Sequence, residues 1–136
     1  MPPSTPTSPA TAVKKVLIIE DEQFISELYV RALTNSGYEV KVAVDGEQAL
    51  AEAQTDSYDI VLLDIMLPNL TGTEILHRLR DPKATQNIHA KIIITTNLEL
   101  DEQSKATMEA QADGYIIKAE VTPKELVKFL DQLQLT

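Results

Sequence analysis

Apolar residues follow two rhythms along this chain, and the rhythms alternate. Val16, Leu17, Ile18 and Ile19 form an unbroken branched run that stops at Glu20-Asp21. That is the pattern of a strand buried on both faces. Phe24, Ile25, Leu28, Tyr29, Ala32 and Leu33 then recur at helical spacing, and Asn35-Ser36-Gly37 closes the helix with a glycine suited to a left-handed cap. Val40, Val42 and Val44 alternate instead, which predicts a strand with one open face, at a sheet edge. Asp45 reads as the N-cap of a short helix through Ala49, Leu50 and Ala53, with Gln48 in the capping-box position.

The second half repeats the rhythm. Ile60, Val61, Leu62 and Leu63 predict another buried strand ending at Asp64, and Leu67-Pro68-Asn69 a loop. Thr71 and Glu74 form a second capping-box pair ahead of Ile75, Leu76 and Leu79, and Asp81-Pro82 breaks that helix. Ile92, Ile93 and Ile94 predict a core strand ending at Thr95-Thr96-Asn97, followed by a polar helix over residues 101–111. Tyr115, Ile116 and Ile117 form the last strand, which stops at Lys118. Thr122 and Glu125, with Pro123 between them, open a final helix whose buried side is Leu126, Val127, Phe129, Leu130 and Leu133. Strands alternating with helices predict an α/β fold, a parallel sheet covered by helices on both faces. Right-handed crossovers leave few topologies for it. No repeat of fixed period runs through the chain.

Composition narrows the function. The chain has 136 residues, one domain's worth, with 12 Lys and Arg against 21 Asp and Glu, a net charge of −9. Nucleic acid and anionic membranes both reward a basic face, so neither is expected as a direct partner. With no cysteine and only His77 and His89, disulfides, thiolate chemistry and multi-histidine metal sites are excluded. Residues 1–12 carry Pro2, Pro3, Pro6 and Pro9 among Ser, Thr and Ala, with no basic residue and no apolar stretch. They read as a disordered tail or linker rather than a signal peptide, with the folded domain over residues 13–136. No apolar run is long enough to insert in a bilayer, and a cytoplasmic protein is expected.

The chemistry collects where the strands end. Glu20-Asp21, Asp64, Thr95-Thr96 and Lys118 each follow an apolar run, and open α/β sheets bind ligands at the carboxyl ends of their strands. Singly, each has a plainer reading: Asp21 as a helix cap, Asp64 and Lys118 as strand ends meeting water, Thr96 as a loop hydroxyl. Their arrival at one rim points to a site. Two carboxylates about 4 Å apart repel by about 4 kcal/mol at an effective dielectric of about 20. Converging carboxylates therefore need a counter-charge, a raised pKa, or both. Lys118 supplies one positive charge, and hard oxygen donors suit Mg²⁺. A carboxylate beside Mg²⁺ and a lysine can accept a phosphoryl group.

Glu20-Asp21-Glu22, Asp64 with Met66-Leu67-Pro68 and Gly72, then Thr96, Tyr115 and Lys118 resemble the response-regulator receiver domain of two-component signalling, in its single-domain, chemotaxis-regulator form. The resemblance implies a flavodoxin-like five-stranded parallel sheet of order 2-1-3-4-5 with five helices. It implies that Asp64 is phosphorylated by a sensor histidine kinase or a histidine phosphotransfer protein. Mg²⁺ would be held by Asp21, by Glu20 through water, by Asp64 and by the Met66 carbonyl. Lys118 would pair with the phosphoryl oxygens. Thr96 would be the switch hydroxyl and Tyr115 the aromatic that swings inward with it. The fourth helix, fifth strand and fifth helix would form the surface that meets a downstream protein target or a second copy of the chain. On this reading the domain is not an enzyme beyond its own phosphorylation and dephosphorylation.

Departures from the family pattern set further expectations. Ala119 stands where the family usually has a cis proline, and a non-proline cis bond costs about 3–4 kcal/mol, so a trans bond is expected. Asn97 is larger and more polar than the usual residue, and would crowd the phosphoryl pocket or hydrogen-bond there. Met66 and Leu98 are apolar at positions which, in the family, flank the hydrolytic water, so slow self-dephosphorylation is expected. A haloacid-dehalogenase-like phosphatase would need a second aspartate where Met66 stands. A flavodoxin-like cofactor binder would not place Glu20-Asp21-Glu22 at its anion loop. No Walker or dinucleotide fingerprint occurs. The remaining alternative is a degenerate receiver, a phosphorylation-independent interaction module.

Overall fold

The computed structural model describes residues 13–67, 70–81, 88–97 and 101–133. The Pro-rich start, Pro68 and Leu98 lie outside the described residues. The elements run β1 (Lys15–Ile19), α1 (Gln23–Asn35), β2 (Glu39–Ala43), α2 (Gly46–Gln54), β3 (Ile60–Asp64), α3 (Gly72–Leu79), β4 (Lys91–Thr96), α4 (Glu102–Gln111), β5 (Gly114–Ile117) and α5 (Pro123–Asp131). The strands form one parallel sheet of order β2-β1-β3-β4-β5. This is the flavodoxin-like arrangement expected, with the alternating strand β2 at an edge.

Alternate residues of a strand face opposite sides, and the core divides accordingly. Leu17, Ile19, Val61, Leu63, Ile92 and Ile94 meet Ala49, Leu50 and Ala53 of α2, Ile75, Leu76 and Leu79 of α3, and Met108 of α4. Val16, Ile18, Ile60, Leu62, Ile93 and Ile116 meet Tyr29 and Leu33 of α1 and Leu126, Val127 and Leu130 of α5. The apolar face of α1 is narrower than its spacing suggests, because Phe24 and Leu28 face solvent.

Local signals hold with two adjustments. Gly37 has φ +95°, the left-handed cap expected. Thr122 and Glu125 make the full reciprocal capping box, with Pro123 at the start of α5. Asp45 and Thr71 each accept the backbone N–H three residues on, but no return bond accompanies either. Glu74 lies 3.6 Å from Arg78, one turn on. A 3-10 turn, Lys118–Glu120, follows β5 without any warning in the sequence.

Candidate functional site

Register brings the acidic groups together. Ile19 pairs with Leu63 and Asp64 with Thr95, so Glu20, one residue past β1, stands level with Asp64 and on the same side of the sheet. The apolar runs that precede them carry both carboxylates inside, Glu20 1% and Asp64 2% exposed. A buried charge must be paired and hydrogen-bonded. The Lys118 ammonium meets both, Nζ lying 2.8 Å from Glu20 Oε1 and 3.3 Å from Asp64 Oδ2. The Lys118 side chain is itself only 5% exposed.

Backbone amides hold the remaining oxygens. The Glu22 N–H donates to Glu20 Oε2 at 3.2 Å, and the Met66 N–H to Asp64 Oδ1 at 2.9 Å. No buried side-chain polar atom among the described residues lacks a partner. Burial pushes the Glu20 carboxyl above its ordinary range. The Lys118 hydrogen bond opposes this and the Asp64 charge adds to it, and the net direction is upward. Burial pulls the Lys118 ammonium down, but the Glu20 hydrogen bond and the charges of Asp64 and Glu20 override it and raise it overall. Tyr29, buried on α1, has its phenol raised by burial, with lesser effects of Lys118, Glu20 and Asp64.

Asp21 completes an acidic cluster. It is exposed, it does not cap α1, and oxygens of Glu20, Asp21 and Asp64 lie within 4.8 Å of one another. Three carboxylates against the one ammonium of Lys118 leave two negative charges in excess. A hard divalent cation fits that donor set and that charge. Met66 lies beside the cluster, 60% exposed, its N–H on Asp64. Thr96 ends β4 fully buried. It faces the same side of the sheet as Ile94, whose partner on β5 is Tyr115. The Tyr115 ring is half-buried, with the Lys105 ammonium 5.7 Å from its centre.

Gly72 earns its place by proximity. A Cβ there would overlap the Asp64 carbonyl and the Ile65 Cα, which turn chemistry alone does not reveal. The Lys118–Ala119 bond is trans, as expected, since no described peptide is cis. Asn97 does not turn to the acidic cluster. Its Oδ1 accepts the Ala119 N–H at 2.7 Å. Sequence reasoning missed this bond and the two amides at residues 22 and 66, and it read Tyr29 only as part of the apolar face of α1; only Asn97 and Ala119 carried a signal, as separate departures. His77 and His89 are surface residues, the latter 2.8 Å from Asp56.

The model of the response regulator receiver domain family matches residues 16–131. The alkaline phosphatase synthesis transcriptional regulatory protein PhoP of Bacillus subtilis is 36% identical over 113 residues, 83% of this chain and 45% of that protein. The chain spans about half the length of the curated relatives it matches. The CheY-like receiver domain protein of Methanospirillum hungatei superposes with TM-score 0.75 at 31% identity, over 89% of this chain and 93% of that one. Response regulator TrrA of Thermotoga maritima, solved in complex with Mg(2+)-BeF, gives TM-score 0.74 at 32% identity, over 90% of this chain and all (100%) of that one. Among the described residues, no helix is long and apolar enough to cross a membrane.

Proposed function

Since the chain belongs to the response regulator receiver domain family, we propose that Asp64 accepts a phosphoryl group from the histidine of a sensor kinase or of a histidine phosphotransfer protein. The observation that carries this reading is the buried Asp64 carboxylate held by Lys118 on one oxygen and by the Met66 N–H on the other. Both contacts orient the carboxylate before any donor arrives, which removes an ordering cost from the reaction. A carboxylate oxygen of Asp64 forms the new P–O bond as the P–N bond of phosphohistidine breaks, and the electron pair returns to the imidazole.

Mg²⁺, held by Asp21, Asp64, the Met66 carbonyl and, through water, Glu20, would neutralise charge on the transferring group. The excess negative charge of the acidic cluster supports this. So does the Mg(2+)-BeF complex of the Thermotoga relative. Lys118, already between Glu20 and Asp64, would follow the charge onto the phosphoryl oxygens.

The switch follows from chain connectivity. Thr96 leads toward α4 and Lys118 toward α5, so new contacts of either side chain with a phosphorylated Asp64 bias both elements. Tyr115, stacked near Lys105 of α4, would move with Thr96. The output surface would be α4, β5 and α5, presented to a downstream protein in the cytoplasm or to a second copy.

The test is intact mass after incubation with acetyl phosphate, with and without Mg²⁺, on the wild type and Asp64→Ala. One phosphoryl adduct that needs both Mg²⁺ and Asp64 is expected. No adduct on the wild type, or an unchanged adduct on Asp64→Ala, would overturn the reading and favour an interaction module indifferent to phosphate.

A further inference from the structure

Lys118 is the only cation whose ammonium touches the buried carboxylates of the site among the described residues, and its backbone needs holding as much as its side chain does. It sits at the start of the 3-10 turn Lys118–Glu120, and Ile117, at the N-cap position, offers no side-chain cap. The first N–H groups of any helical turn lack internal partners. One of them, that of Ala119, is taken by the carboxamide oxygen of Asn97 at 2.7 Å, from 22 residues away.

The bond stands where the sheet gives out. Thr96 pairs with Ile117 at the last step of the β4–β5 ladder, so Asn97 and Lys118 are the first residues beyond it. The carboxamide carries the pairing one step further, between the residue after Thr96 and the residue after Lys118. An asparagine at the end of one strand thus caps the turn at the end of its neighbour, a cap supplied across the sheet rather than along the chain. The N–H it binds exists because residue 119 is not a proline.

We propose that Asn97 is a positioning residue, which caps the turn opened by Lys118 and so holds the Lys118 ammonium between Glu20 and Asp64. Its importance for phosphoryl transfer rests on the function proposed above; its effect on Lys118 does not. Asn97 touches no reacting atom and acts through the Ala119 amide. It also joins the strand end that carries Thr96 to the one that carries Lys118.

The experiment reads the lysine directly, on the full chain without phosphoryl donor. Proton exchange of the Lys118 ammonium with water is followed by ¹⁵N NMR in the wild type, Asn97→Ala and Asn97→Asp. Backbone amide exchange is recorded in the same samples. Losing one hydrogen bond in Asn97→Ala is expected to speed Lys118 ammonium exchange about five-fold, with the sheet amides unchanged. Asn97→Asp keeps an acceptor oxygen at that position and is expected to restore it. Unchanged exchange in Asn97→Ala, no rescue by Asn97→Asp, or faster exchange throughout the sheet would each overturn the proposal. Acetyl phosphate is then added to the same variants. A wild type that takes no phosphoryl group while the ammonium behaves as expected would sink the proposed function and leave the role of Asn97 standing.

Discussion

Glu20 and Asp64 are buried where apolar strands end, and they are tolerable there because Lys118 lies between them and the Glu22 and Met66 amides hold their other oxygens. Asp21 adds a third charge, exposed to water but with an oxygen within 4.8 Å of both neighbours. Like charges at that separation repel by about 1 kcal/mol in water and more where water is excluded. Asp21→Asn is therefore expected to stabilise the metal-free chain by about 1 kcal/mol in urea denaturation. Magnesium should reverse the order. At a hundredfold excess over its dissociation constant, a ligand bound only by the native state adds about 2.7 kcal/mol, a gain expected for the wild type and lost in Asp21→Asn. A wild type whose urea midpoint ignores Mg²⁺ would count against the whole metal assignment. These residues were all legible as strand ends. What the chain did not disclose was which oxygen each amide would hold, because backbone N–H groups leave no mark in a sequence.

Elements differ in how firmly they are held, and the difference follows their burial. α5 carries a complete capping box and buries Leu126, Val127 and Leu130, whereas α4 buries Met108 alone. Few buried contacts mean a low cost of local movement, which suits α4 to the output surface proposed for it. Its polar sequence announced this weakness in advance. The start of α3 is held tightly against the end of β3 instead, since Gly72 lies against the backbone of Asp64 and Ile65 and donates its N–H to the Ile65 carbonyl at 3.3 Å. Gly72→Ala is expected to cost about 1–3 kcal/mol, the range of overpacked sites, and to slow phosphorylation of Asp64 by acetyl phosphate. Equal stability and equal rate would show that Gly72 yields without moving Asp64. The half-formed caps at Asp45 and Thr71 carry a related lesson. A capping motif specifies the first bond locally, but the return bond competes with other partners, as Glu74 does with Arg78.

Across the whole molecule, one side chain ties several elements together without any sequence signal. Arg80, just past α3, donates to the carbonyls of Ala90 and Gln111 and meets Asp113 at 2.7 Å. It thereby joins the end of α3 to the approach of β4, the end of α4 and the approach of β5. Charge-assisted hydrogen bonds contribute about 1.5–3 kcal/mol each, so Arg80→Ala is expected to cost about 2 kcal/mol in urea denaturation. Hydrogen exchange should then rise most at the C-terminal end of α4, while the Lys118–Glu20 contact persists. Uniform loss of protection over the sheet would instead make Arg80 part of the common core. The sequence by itself determined the order of strands and helices, the edge character of β2, the first bond of each expected cap and the residue types that end the strands, because period, burial and capping are properties of neighbouring residues. The tertiary structure decided which groups meet. Lys118 reaches Glu20 across 98 residues and Asp64 across 54, and Asn97 reaches Ala119 across 22. Such contacts depend on strand register and on the path of the chain beyond the last ladder pair, and no local pattern encodes either.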